Sequence, residues 1–77
     1  MDIHVNGVLR QVPERLTASE LLETLQISPE RVAVEINLTI LKRAQLSDTV
    51  LKEGDQVEIV QFVGGGAEGA KSLWLLK

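Results

Sequence analysis

The chain has 77 residues, no cysteine, a single histidine and a net charge of −3 from 8 Lys and Arg against 11 Asp and Glu. Such a length predicts one small domain, without disulfides, Cys-based zinc sites or a thiol nucleophile. The acidic balance argues against a nucleic-acid partner, and no apolar run approaches the ~20 residues of a membrane span. The opening residues MDIHVNGV show no basic segment followed by an apolar run, so no signal peptide is expected and a cytoplasmic setting is.

Taken in chain order, Ile3 and Val5 alternate with Asp2, His4 and Asn6, which predicts a half-buried strand. Asn6-Gly7 predicts a type I′ hairpin turn, because both central residues of that turn need positive φ. A second strand over Val8–Val12 stops at Pro13. Thr17-Ala18-Ser19-Glu20 reads as a capping box, opening a helix through Leu21, Leu22 and Leu25 that ends before Ser28-Pro29. Val32, Val34 and Ile36 alternate with Ala33 and Glu35 in a third strand, and Asn37-Leu38-Thr39 turns into a short strand around Ile40–Lys42. Residues 43–53 are mixed, with one helical turn near Ala44–Leu46. Gly54-Asp55 then turns the chain into a last strand, Gln56–Val63.

This β-β-α-β-β-β order predicts an α+β roll: a mixed sheet of four to five strands with one main helix on one face. Leu21, Leu22 and Leu25 are expected to pack on Ile3, Val5, Val32, Val34, Ile36, Val57 and Ile59. The outer face is less regular, because Val60 and Phe62 share it with Glu58. Pairing Val5 with Val8 sets Leu9 opposite His4 on that same face. If the first and last strands are neighbours, Leu9, Val60 and Phe62, with Val63 beside them, form an exposed apolar patch of the kind that marks partner sites. Isolated surface hydrophobes are also ordinary, and that reading stays open.

Enzyme constellations are nearly absent. His4 reads as a surface strand residue, no paired carboxylates stand out, and no serine lies in a nucleophile motif. No metal or cofactor site is expected in this chain. Gly64-Gly65-Gly66 lacks the GxxxxGK[ST] pattern of a phosphate loop. The glycines allow two readings: a flexible linker to the tail, or a thread whose missing Cβ atoms let the backbone pass through a narrow channel.

The segments IHVNG, LTASELLETL, VAVEIN and above all TVLKEGDQVEIVQFVGGG resemble the ThiS family of sulfur-carrier proteins, from about Asp2 to Gly66. The resemblance implies a ubiquitin-like β-grasp fold and a role as protein co-substrate in thiamin biosynthesis rather than as an enzyme. It implies that a ThiF-like adenylyltransferase, using ATP and Mg, adenylates Gly66. A sulfur donor such as a cysteine desulfurase then supplies sulfur for a thiocarboxylate, and a ThiG-like thiazole synthase consumes it. Gly64 and Gly65 would form the flexible thread. A monomer is expected.

Two features depart from that family's pattern. NLTILKR stands where an asparagine turn followed by IVPR is usual. Ala67–Lys77 also follows Gly66, so the glycine carries a peptide bond where the family has a free carboxylate. Residues 1–66 are therefore expected as the carrier domain and 67–77 as a flexible extension, natural and trimmed or otherwise, with docking on the Val60/Phe62 patch or on a partner as the alternative. Two further readings remain. One is a carrier for another pathway, like the small subunit of molybdopterin synthase, although prolines common before its Gly-Gly are missing at Phe62-Val63. The other is a non-covalent ubiquitin-like interaction module.

Overall fold

The first two strands, β1 (Asp2–Val5) and β2 (Val8–Gln11), form a hairpin pairing Val5 with Val8 and His4 with Leu9. Its turn residues Asn6 and Gly7 have φ of 50° and 83°, the positive pair that type I′ geometry needs. This computed structural model describes residues 1–62 and 73–75, with Phe62 and 73–75 described as backbone.

Helix α1 (Ala18–Thr24) starts at the expected capping box: the Glu20 amide donates to Thr17 Oγ1 (3.1 Å) and the Thr17 amide to Glu20 Oε1 (2.9 Å). The other first-turn amides are also satisfied. Ala18 N–H donates to the Thr49 carbonyl and Ser19 N–H to that of Leu46, so the 46–51 loop closes over the helix start. The helix stops after seven residues, earlier than its leucine pattern suggests. Gln26 adopts φ +60°, its amide bonds the Glu23 carbonyl, and the Ile27 amide reaches back to Leu22. These two bonds make a Schellman ending with glutamine where glycine is usual.

A 3₁₀ turn (Pro29–Arg31) leads into β3 (Val32–Ile36), then β4 (Thr39–Leu41), a second 3₁₀ turn (Arg43–Gln45) and β5 (Gln56–Phe62). The sheet order is β2-β1-β5-β3-β4; β1 and β5 run parallel and the other neighbours antiparallel. Five strands and one helix make the expected mixed sheet. A sixth strand, β6 (Leu73–Leu75), pairs antiparallel with β5.

The core lies between α1 and one sheet face, with Ile3, Val5, Leu21, Leu22, Val32, Val34, Val57 and Ile59 buried as expected. Leu25 and Ile36 are partly buried and pack against it, also as expected. Ala18, Leu46 and Leu51 are buried there as well, the last two from a stretch of mixed periodicity. No helix among the described residues is long and apolar enough to cross a membrane.

Candidate functional site

The glycines leave from β5, and β5 is the central strand. Its β3 edge is paired along most of its length, from Val57 with Ile36 to Gln61 with Val32. On its other edge β1 pairs only with Gln56 and Val57 before the chain turns away. Asn6 continues that edge by one step. Its backbone amide donates to the Val57 carbonyl (2.8 Å), its Oδ1 accepts from the Ile59 amide (2.7 Å), and its Nδ2 donates to the Ile59 carbonyl (3.3 Å).

A second asparagine does related work at the start of the strand. Asn37, at the β3–β4 turn, accepts from the Gln56 amide and donates to Asp55 Oδ1, both at 3.0 Å, while Asp55 Oδ2 accepts from the Lys52 amide. Two turn asparagines thus fix the first half of β5 from both sides. Gly64–Gly66, the expected thread and attachment residues, lie outside the described residues.

The expected surface patch is only partly formed. Leu9 is 56% exposed, and register puts it on the outer face in line with His4 and Gln56. Val60 is on that face too, but it lies four residues further along β5, about 13 Å away, and it is 9% exposed. Leu9 and Val60 therefore do not make one exposed surface, because the Asn6-Gly7 turn carries β2 away before β5 reaches Val60. The Phe62 side chain and Val63 fall outside the described residues. Two surface clefts flank the exit of β5, one including Asn6, Arg10 and Ile59 and the other Arg31 and Gln61, with Ile27 shared between them. His4 sits on the strand surface with Nδ1 3.2 Å from Gln56 Nε2. Among the described residues no cluster of acidic or histidine side chains is arranged to hold a metal ion.

The extension was expected to be flexible. Three of its residues form β6, with Val60 opposite Leu75, Gln61 opposite Trp74 and Phe62 opposite Leu73; the rest lies outside the described residues.

Comparison with known proteins bears on the same end of the chain. The ThiS family model matches residues 3–66, most of the chain and ending on the third glycine. The chain belongs to the ThiS family. A crystal structure of the thiamine biosynthesis protein ThiS from Geobacter metallireducens is 40% identical, with a TM-score of 0.75 over 86% of this chain and all of that one. This likeness makes the fold the β-grasp of the ThiS family. The sulfur carrier protein ThiS of Escherichia coli is 33% identical over 66 residues, 86% of this chain and 100% of that protein. A thiazole synthase from Magnetococcus marinus is 39% identical over 74 residues, 96% of this chain but 23% of that protein. This chain thus spans under a quarter of the thiazole synthases it matches. A match of that coverage leaves about three residues out, so it runs past Gly66 into the extension.

Proposed function

We propose that this ThiS-family carrier bears sulfur on Gly66 for thiazole formation in thiamin biosynthesis. The observation that carries the reading is the end of the family match at residue 66, four residues beyond a central strand fixed on both edges. The carboxylate of Gly66, once free, attacks the α-phosphorus of ATP on a ThiF-like enzyme with Mg, giving the acyl-adenylate and pyrophosphate. The terminal sulfur of a persulfide on a desulfurase-type donor then displaces AMP, and a thiol cleaves the resulting acyl disulfide, itself becoming a disulfide and leaving the thiocarboxylate.

In this scheme the catalytic groups belong to the partners, and the chain is their co-substrate in the cytoplasm. Its own contribution is a rigid domain for recognition and a Cβ-free thread, Gly64–Gly66, narrow enough to enter an active site. The relatives named for thiamin and thiazole favour this pathway over another that uses the same chemistry. The match to a thiazole synthase supports a ThiG-like partner as the acceptor of the sulfur.

An amide cannot be adenylated, so the Gly66–Ala67 bond must be hydrolysed before loading. ATP–pyrophosphate exchange on a ThiF-like enzyme tests this directly. Exchange is expected with a chain ending at Gly66 and not with the full chain. Absence of exchange with both overturns the reading.

A further inference from the structure

The edge of β5 that faces β1 is used in three successive pieces. β1 covers Gln56 and Val57, the Asn6 side chain covers Ile59, and β6 covers Val60–Phe62. Peptide groups alternate their direction along a strand, so after Val57 and Ile59 the next N–H and C=O aimed at this edge belong to Gln61. The register sets Trp74 opposite Gln61. Val60, opposite Leu75, is buried although it lies on the outer face and outside the core cluster. An uncovered stretch of this kind is a template for another strand.

We propose that the β5 edge from Val60 to Phe62 is a strand-docking site, occupied in this chain by its own residues Leu73–Leu75, and that this docking masks the glycine thread. The docking stands on the register alone; the masking rests on the proposed role of Gly66. Phe62 and Leu73 are direct partners, so their Cα atoms are about 5 Å apart, and Gly64–Gly66 fall in the stretch that joins them. A thread tethered at both ends presents two backbones wherever a free end presents one. A channel shaped for one extended glycine chain then excludes it.

Hydrolysis after Gly66 would change both features at once. It frees the carboxylate, and it leaves β6 held by three residues of pairing with no covalent link. So short a strand is a poor ligand by itself, because an isolated pair of strands is marginal in water. The extension departs, and the edge beside the exit of β5 opens to an extended, antiparallel segment.

Amide hydrogen exchange on the full chain, on its Trp74→Pro variant and on the chain ending at Gly66 tests the docking. Proline at position 74 removes the N–H facing Gln61 without touching residues 1–62. The Gln61 amide is expected to exchange at least tenfold faster in the variant and in the shortened chain than in the full chain. The Ile59 amide, held by Asn6, should be unchanged in all three. Equal exchange at Gln61 in the three chains overturns the proposal. If docking also masks the glycines, a peptidase that hydrolyses the Gly66–Ala67 bond should cut faster in Trp74→Pro; an equal rate overturns the masking. Neither measurement involves adenylation, so a carrier that fails to load would strike the functional reading and leave the docked strand standing.

Discussion

Asn6 bonds both backbone polar groups of Ile59 through one side chain, accepting from the amide at 2.7 Å and donating to the carbonyl at 3.3 Å. The residue that turns the first hairpin thereby also stands in for the missing strand beside β5. Asn6→Gly should keep the turn, since glycine accepts positive φ, but lose both bonds. At roughly 0.5–1.5 kcal/mol per hydrogen bond, the expected cost of losing two is about 1–3 kcal/mol. Thermal unfolding should show a lower Tm; an unchanged Tm would mean that water replaces Asn6 without loss.

Gln26 supplies the left-handed residue that ends α1, a conformation disfavoured for any side chain with a Cβ. Gln26→Gly should relieve that strain, partly offset by the greater freedom of glycine in the unfolded chain. A net gain of about 0.5 kcal/mol is expected, raising Tm by roughly 2–4 °C. A loss of stability in the same melt would show that the Gln26 side chain contributes more than its backbone strain costs.

Leu51 is 2% exposed and packs in the core from a loop with no regular structure. Leu51→Ala should cost about 2–5 kcal/mol, as for other buried leucines. The capping substitution Thr17→Ala should cost about 1 kcal/mol. Denaturant titration separates the two, and equal midpoints would contradict the assignment of Leu51 to the core.

The fold was legible where pattern and turn chemistry agree. Asn6-Gly7, the Thr17–Glu20 box and the alternation of Val32, Val34 and Ile36 each have one local solution, and the structure contains it. The end of α1 was not legible, because its stop is a glutamine in a glycine-like conformation. Leu46 and Leu51 were missed for a related reason: they reach the core from a loop, where spacing carries no period. Gly66 as a chemical end came from the resemblance alone, because a glycine run by itself equally fits a linker, and it lies outside the described residues. The edge role of Asn6 was hidden, since a turn signal does not tell which strand the side chain will meet.

Leu38 and Ile40 are 90% and 66% exposed on the β3–β4 hairpin, and Leu9 is exposed on β2. Of these, Leu9 belongs to the patch expected at a partner site, and we propose that it contacts the ThiF-like partner. Leu9→Ala should weaken that complex by about 1 kcal/mol or more while shifting stability by no more than about 0.5 kcal/mol. Calorimetric titration beside a thermal melt reads both quantities. A destabilised domain with unchanged affinity would remove Leu9 from the interface.

The central claim is that Gly66 is the sulfur-bearing residue, and intact mass spectrometry tests it most directly. The chain ending at Gly66 is incubated with ATP, Mg, a ThiF-like enzyme and a sulfur source, beside the full chain. The mass of the shortened chain should rise by the exchange of one oxygen for one sulfur, localised to Gly66 by fragmentation, while the full chain stays unmodified. An unmodified shortened chain, or sulfur gained equally by the full chain, would contradict the account.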